Sequence, residues 1–155
     1  FSTYDQFGSA TLMDVYGKDM LEAALHYEAV TFESVYLENT GNGGLSLKPL
    51  PIEAQFSTIN ASIITDVDGD LKDDILIAGN MYPVEVETTR NDASIGLMLK
   101  RSSKALEAIH VSKSGFNVSG QVKAMHTVKT ERGQAILVVK NDDVVQVLKV
   151  NESIE

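Results

Sequence analysis

The pattern of apolar and polar positions changes near residue 30. In the first thirty residues Leu12, Tyr16, Met20 and Ala24 recur at a spacing of four, which lines them along one helical face. Thr11 followed by Asp14 has the form of a capping box, and Gly17 interrupts a run rich in helix formers. The pattern predicts one broken helix or two short ones, over residues 9–16 and 18–27, with the apolar face packed on a core. Beyond residue 30 the apolar stretches become short and strand-like. Val35-Tyr36-Leu37 and Leu45-Ser46-Leu47 flank Asn39-Thr40-Gly41-Asn42-Gly43-Gly44, a glycine-rich hairpin turn, and Pro49 and Pro51 end the second strand. Further strands are predicted at Ser62–Asp66, Asp74–Gly79, Ser94–Lys100, Lys104–His110, Val122–Val128, Gln134–Lys140 and Val144–Val150.

Several of these strands share one offset. Ile75-Leu76-Ile77-Ala78-Gly79-Asn80 resembles Ile136-Leu137-Val138-Val139-Lys140-Asn141, 61 residues on. Tyr36-Leu37 and Leu45 stand the same 61 residues before Leu97-Met98 and Leu106, and Phe56 precedes Phe116 by 60. A repeat of this length with four short strands suggests a β-propeller blade. The expected fold is mostly β: antiparallel four-stranded blades of a partial β-propeller behind one or two short N-terminal helices. Residues 1–30 form the helical segment and 31–155 the β segment, with one complete blade at about 61–110 and partial blades on either side. A closed ring takes about four to eight blades, so the repeat argues for a longer parent chain, for assembly with copies, or for sheets packed some other way with the N-terminal helices covering an open edge. The opening residue, Phe1 rather than Met, fits a processed or excerpted chain.

Composition narrows the chemistry. With 155 residues and 43% apolar content the chain has enough material for a core. Its net charge of −9, from 13 Lys+Arg against 22 Asp+Glu, offers no basic stripe to nucleic-acid phosphates and suits a cation instead. Zero cysteine excludes disulfides, thiol catalysis, iron–sulfur clusters and cysteine-type zinc. Apolar runs such as Ile75–Ala78 and Ala135–Val139 are far too short to span a membrane.

The acids concentrate in Asp66-Val67-Asp68-Gly69-Asp70-Leu71-Lys72-Asp73-Asp74. Calcium takes six to eight oxygen ligands, roughly, from a short flexible loop, and alternating acids let a chain wrap one ion. The predicted ligands are the side chains of Asp66, Asp68, Asp70 and Asp74 and the backbone carbonyl of Lys72. The EF-hand template fails at its end: Ile77 stands where a bidentate Glu belongs, Leu71 where Gly belongs, and a strand follows instead of a helix. Asp74 stands where it can replace the missing Glu; the alternative is an Asp-rich turn whose acids are solvated or cap backbone amides. At the 61-residue offset the four acids fall on Thr127, Lys129, Glu131 and Ala135, so the second repeat keeps no ligand set, and Arg132-Gly133 reads as a tight turn.

These residues resemble the FG-GAP/VCBS repeat family of calcium-binding propeller blades. The likeness rests on Asp66-Val67-Asp68-Gly69-Asp70, closed by Asp74 and followed by Ile75-Leu76-Ile77. It extends to the C-terminal part of large Bacteroidetes-type surface proteins related to those with an ASPIC/UnbV domain. Tyr36-Leu37-Glu38-Asn39, Leu50-Pro51-Ile52-Glu53-Ala54-Gln55-Phe56, Ala78-Gly79-Asn80 and Ser112-Lys113-Ser114-Gly115-Phe116 carry that likeness. The resemblance implies an exported protein, at the cell surface, associated with the outer membrane, or secreted. It implies a binding or scaffold role in adhesion, glycan or protein interaction, and no reaction of its own. The alternatives are an accessory domain of a larger extracellular polysaccharide-processing enzyme, or a purely structural domain.

A second candidate is the inserted segment 81–93, with Tyr82, Glu85, Glu87, Arg90 and Asp92. An Arg among acids with a Tyr nearby suits a sugar or a polar peptide, and equally suits a loop in which Arg90 pairs with Glu87 or Asp92. His26, His110 and His126 lack ligand spacing, and no nucleophile elbow, P-loop or zinc-protease helix is present, so no catalytic residue is assigned.

Overall fold

The computed structural model describes residues 1–102, 105–131 and 133–150. The chain divides into two units, Phe1–Phe32 and Glu33–Glu155.

The first unit holds three short helices, α1 (Tyr4–Gly8), α2 (Leu12–Tyr16) and α3 (Lys18–Ala23). The expected capping box forms: Thr11 N–H donates to Asp14 Oδ2 at 2.9 Å, and Asp14 N–H to Thr11 Oγ1 at 3.3 Å. Gly17, at φ +75°, separates α2 from α3 in a left-handed conformation that suits glycine. Two expectations fail. An extra helix, α1, precedes the predicted start, and α3 ends at Ala23. The apolar face is not packed either: Leu12, Tyr16 and Met20 are 67%, 53% and 66% exposed, and none of the three helices has a buried residue. Helices of five or six residues present barely one turn and a half, too little for a continuous apolar stripe.

The second unit is antiparallel β-structure in three sheets. Strands β1 (Val35–Asn39) and β2 (Leu45–Pro49) form a hairpin. Strands β3 (Ile59–Thr65), β4 (Asp74–Gly79), β5 (Leu97–Arg101) and β6 (Leu106–Ile109) form a four-stranded sheet in sequential order. Strands β7 (Val122–Thr130), β8 (Gly133–Lys140) and β9 (Gln146–Lys149) form a three-stranded sheet. The mostly β class, the antiparallel pairing and the grouping into two, four and three strands follow the sequence reading. Among the described residues no sheet closes into a barrel.

The boundaries moved for local reasons. Strand β5 begins at Leu97, not Ser94, because the Ser94 backbone is held by the Asn80 side chain. Gly96 then turns at φ +81°, where a Cβ would lie 2.9 Å from the Phe116 ring. Strand β6 begins at Leu106; the predicted start at Lys104 and the turn residue Arg132 lie outside the described residues. A short helix α4 (Val111–Ser114), closed by left-handed Gly115, was not predicted.

The main core lies between the two larger sheets. Ile63, Leu76, Ala78 and Met98 meet Val122, Ile136 and Val138 there, joined by Phe116 and Val118 from the connecting segment. The other face of β4 packs a second cluster of Ala54, Ile77 and Leu99. Strand β4 is therefore covered on both faces, which explains its unbroken apolar run. Gln55 fixes the β1–β2 hairpin: its amide takes the Ser34 N–H at 2.7 Å and donates to Ser34 O and Leu50 O at 3.0 Å each.

Hairpins β3–β4 and β7–β8 share one build. In each, a register shift falls near the outer end, between Ile59 and Ala61 in β3 and between Val122 and Ala124 in β7. In each, an Asn after the second strand donates its N–H back across the hairpin: Asn80 to Thr58 O at 3.0 Å, Asn141 to Gln121 O at 2.9 Å. They differ where they turn. Pairing of β7 with β8 continues to Thr130 and Gly133, whereas pairing of β3 with β4 stops at Thr65 and Asp74 and leaves a loop of acids between.

Candidate metal centre

The loop Asp66–Asp73 is built by its own carboxylates. Asp66 Oδ1 accepts from Gly69 N–H at 2.7 Å and Asp66 Oδ2 from Leu71 N–H at 2.9 Å. Asp68 Oδ1 accepts from Asp70 N–H at 3.2 Å, and Asp70 Oδ1 from Lys72 N–H at 2.9 Å. These bonds curl the backbone, and Gly69 and Leu71 take positive φ of 79° and 64° to allow it. A glycine does so freely. A leucine in this region costs roughly 1–2 kcal/mol, so Leu71 holds the conformation of the template's glycine against its own preference.

The curl brings one carboxylate oxygen each from Asp66, Asp68 and Asp74 within 4.8 Å of one another. An ion bound about 2.3–2.6 Å from each oxygen bridges acceptors up to roughly 5 Å apart, so the group has the dimensions of a hard-cation site. Asp74 is the distinctive member. It is 0% exposed; its Oδ2 accepts from Val67 N–H at 3.3 Å, and its Oδ1 has no hydrogen-bond partner. A buried carboxylate oxygen without a donor is costly unless a cation answers it. Burial, with the Asp68 charge nearby, pushes the Asp74 pKa above the ordinary 3.8.

The predicted ligands are placed unequally. Asp66, Asp68 and Asp74 come together. Asp70 stands outside that group and faces Lys100, whose Nζ lies 3.0 Å from its Oδ2. Lys72 is exposed and contributes its N–H to the loop. Lys100, a residue the sequence pattern did not single out, also contacts Asp68 Oδ2. Its pairing with Asp68 and Asp70 raises its pKa above the ordinary 10.5, and the same pairing lowers that of Asp70. The signal that locates Lys100 is strand register. Ile75 pairs with Leu99, so the next residue of β5 stands level with Asp74, where the loop rejoins the sheet.

In the 81–93 segment Arg90 pairs with Asp92 at 3.8 Å, and its guanidinium lies over the Tyr82 ring at 4.7 Å. Met81 and Asn91 close the segment by a β-bridge. Glu85 and Glu87 are exposed, and the Glu85 carbonyl accepts from Thr88 N–H at 3.0 Å. Arg90 is thus engaged within its own loop. Asn80 is a further residue that sequence reasoning quoted without assigning a role. It is 1% exposed, and its amide ties Ser94 to Gly120 O, joining the connections of both larger sheets.

Comparison of the chain with protein-family models, with curated proteins and with solved structures gave no match. Among the described residues no helix is long and apolar enough to cross a membrane.

Proposed function

We propose that the chain is a non-enzymatic segment of an exported bacterial surface protein, a partial β-propeller of the FG-GAP/VCBS kind whose Asp66–Asp74 loop binds calcium. The observation that carries the calcium reading is Asp74: fully buried, with Oδ1 unpartnered, in a group with Asp66 and Asp68. Every side-chain donor in the group is a carboxylate oxygen, which suits a hard cation and no soft one. The curled loop favours calcium, which accepts irregular oxygen cages, over magnesium, which demands near-octahedral geometry and retains water. Bound there, the ion would tie the end of β3 to the start of β4.

The matching build of hairpins β3–β4 and β7–β8 supports the blade reading, since shared register shifts and a shared Asn bond are what a repeated unit produces. Its role is interaction or scaffolding, in adhesion or in contact with a glycan or a protein.

The test is thermal unfolding in calcium and in chelator. Calcium is expected to raise the melting temperature of the wild-type chain, and Asp68→Ala to lose most of that rise. A melting temperature indifferent to calcium, to chelator and to Asp68→Ala would refute the calcium reading.

A further inference from the structure

We propose that Lys100 is a tethered counter-ion of the acidic loop, which a calcium ion must displace from Asp68 in order to bind. The proposal rests on the calcium reading of Asp66, Asp68 and Asp74 and concerns what sets the affinity of that site.

Lys100 Nζ contacts Asp68 Oδ2 and lies 3.0 Å from Asp70 Oδ2. Asp68 also belongs to the carboxylate group with Asp66 and Asp74. One carboxylate therefore serves both an ammonium and the candidate ion position. Two cations sharing a carboxylate repel strongly at such range, and the more highly charged one prevails when its other ligands are in place. Those other ligands are Asp66 and Asp74. Lys100 leaves Asp74 Oδ1 without a partner, so the ammonium neutralises only part of the loop. The unanswered part is the buried part, where a divalent ion gains most.

The lysine also has somewhere to go. It lines a cavity of about 510 Å3 together with Val67, Leu76, Met98, Phe116 and two further lysines, Lys113 and Lys149. A four-carbon stem that already borders such a space can swing its charge away from Asp68 while its methylenes stay against apolar surface. Two consequences follow. Lys100 keeps the loop folded in chelator by opposing the repulsion among its acids. It also weakens calcium binding, because each ion bound must break the Lys100–Asp68 contact.

The test is calorimetric titration of the full chain with calcium chloride, for wild type, Lys100→Met, Lys100→Gln and Lys100→Arg. Both neutral variants are expected to bind calcium about tenfold more tightly or better, and Lys100→Arg to stay within about threefold of wild type. In chelator, Lys100→Met should melt below wild type, and calcium should close or reverse that gap. Calcium binding seen only in the neutral variants overturns the displacement, since the ion then does not expel Lys100 from Asp68. Unchanged or weaker affinity in both neutral variants overturns the tethered counter-ion and leaves the calcium site standing. Absence of binding in wild type and in every variant overturns both.

Discussion

Two hairpins of like build end in unlike turns. The β7–β8 hairpin pairs to its last residues, Thr130 and Gly133, and Thr130 Oγ1 donates to Gly133 O at 2.8 Å across the turn. The β3–β4 hairpin gives up that pairing after Thr65 and Asp74 and hands its backbone N–H groups to aspartates. The register at the outer ends corresponds, and the hairpins part most plainly at the turn. A tight turn needs only hydrogen bonds to close it. A loop of five acids within nine residues needs positive charge as well, supplied in part by Lys100.

The outer ends offer the harshest test of this correspondence. By register Gly79 of β4 matches Lys140 of β8, since Ile59 pairs with the first and Val122 with the second. The fit differs: a Cβ on Gly79 would lie 1.7 Å from Thr58 O. Gly79→Ala should therefore cost about 3 kcal/mol or more in denaturant unfolding, since the backbone itself must move. A cost under about 1 kcal/mol would mean that the close approach of β4 to Thr58 is not a fixed feature of the sheet.

The next effect inverts its sign with the ion. Asp74→Asn keeps an acceptor for the Val67 N–H and removes the buried charge. In chelator the variant should melt a few degrees higher than wild type, at about 4 °C per kcal/mol. In calcium it should melt lower, because the ion's buried ligand is gone. The chelator result depends on pH. The folded pKa of Asp74 lies above the ordinary 3.8, so the folded chain holds this proton where the unfolded chain has released it. Stability in chelator therefore falls as pH rises from 3.8 through the folded value, and Asp74→Asn should remove that fall. Asp70, held down by Lys100, contributes in the opposite sense, with stability lost as pH falls below 3.8. A variant less stable than wild type in chelator at neutral pH would contradict the buried-charge account.

The smallest effect belongs to Leu71. Leu71→Gly removes a side chain that is 93% exposed and relieves a backbone at φ +64°. A gain of about 0.5–1 kcal/mol is expected, since relief of left-handed strain exceeds the added freedom of the unfolded chain. A loss would show that the loop does not hold Leu71 in that conformation.

Much of the second unit was legible. Strands β4 and β8 announce themselves as apolar runs, because β4 is buried on both faces and β8 supplies Ile136 and Val138 to the core. The acid spacing located the loop, since side chains that must converge on one point are spaced by the turn that carries them. What escaped was whatever depends on pairing between distant segments. Lys100 enters the site only through the register of β5 on β4, across the inserted segment 81–93. Asn80 acts through carbonyls at Ser94 and Gly120, which no local pattern announces. Asp70 has the spacing of a ligand, and its contact with Lys100 is a further pairing that the local pattern does not announce. In the first unit the spacing of four was real, yet helices this short leave Leu12, Tyr16 and Met20 exposed.

The central claim is a single calcium site, in the β3–β4 loop and not in the β7–β8 turn. Calorimetric titration of the wild-type chain and of Asp74→Asn with calcium chloride addresses it most directly. The account predicts one ion per wild-type chain and loss of that binding in Asp74→Asn. Binding that survives in Asp74→Asn with unchanged affinity, or a wild-type chain that takes up no calcium, would contradict it.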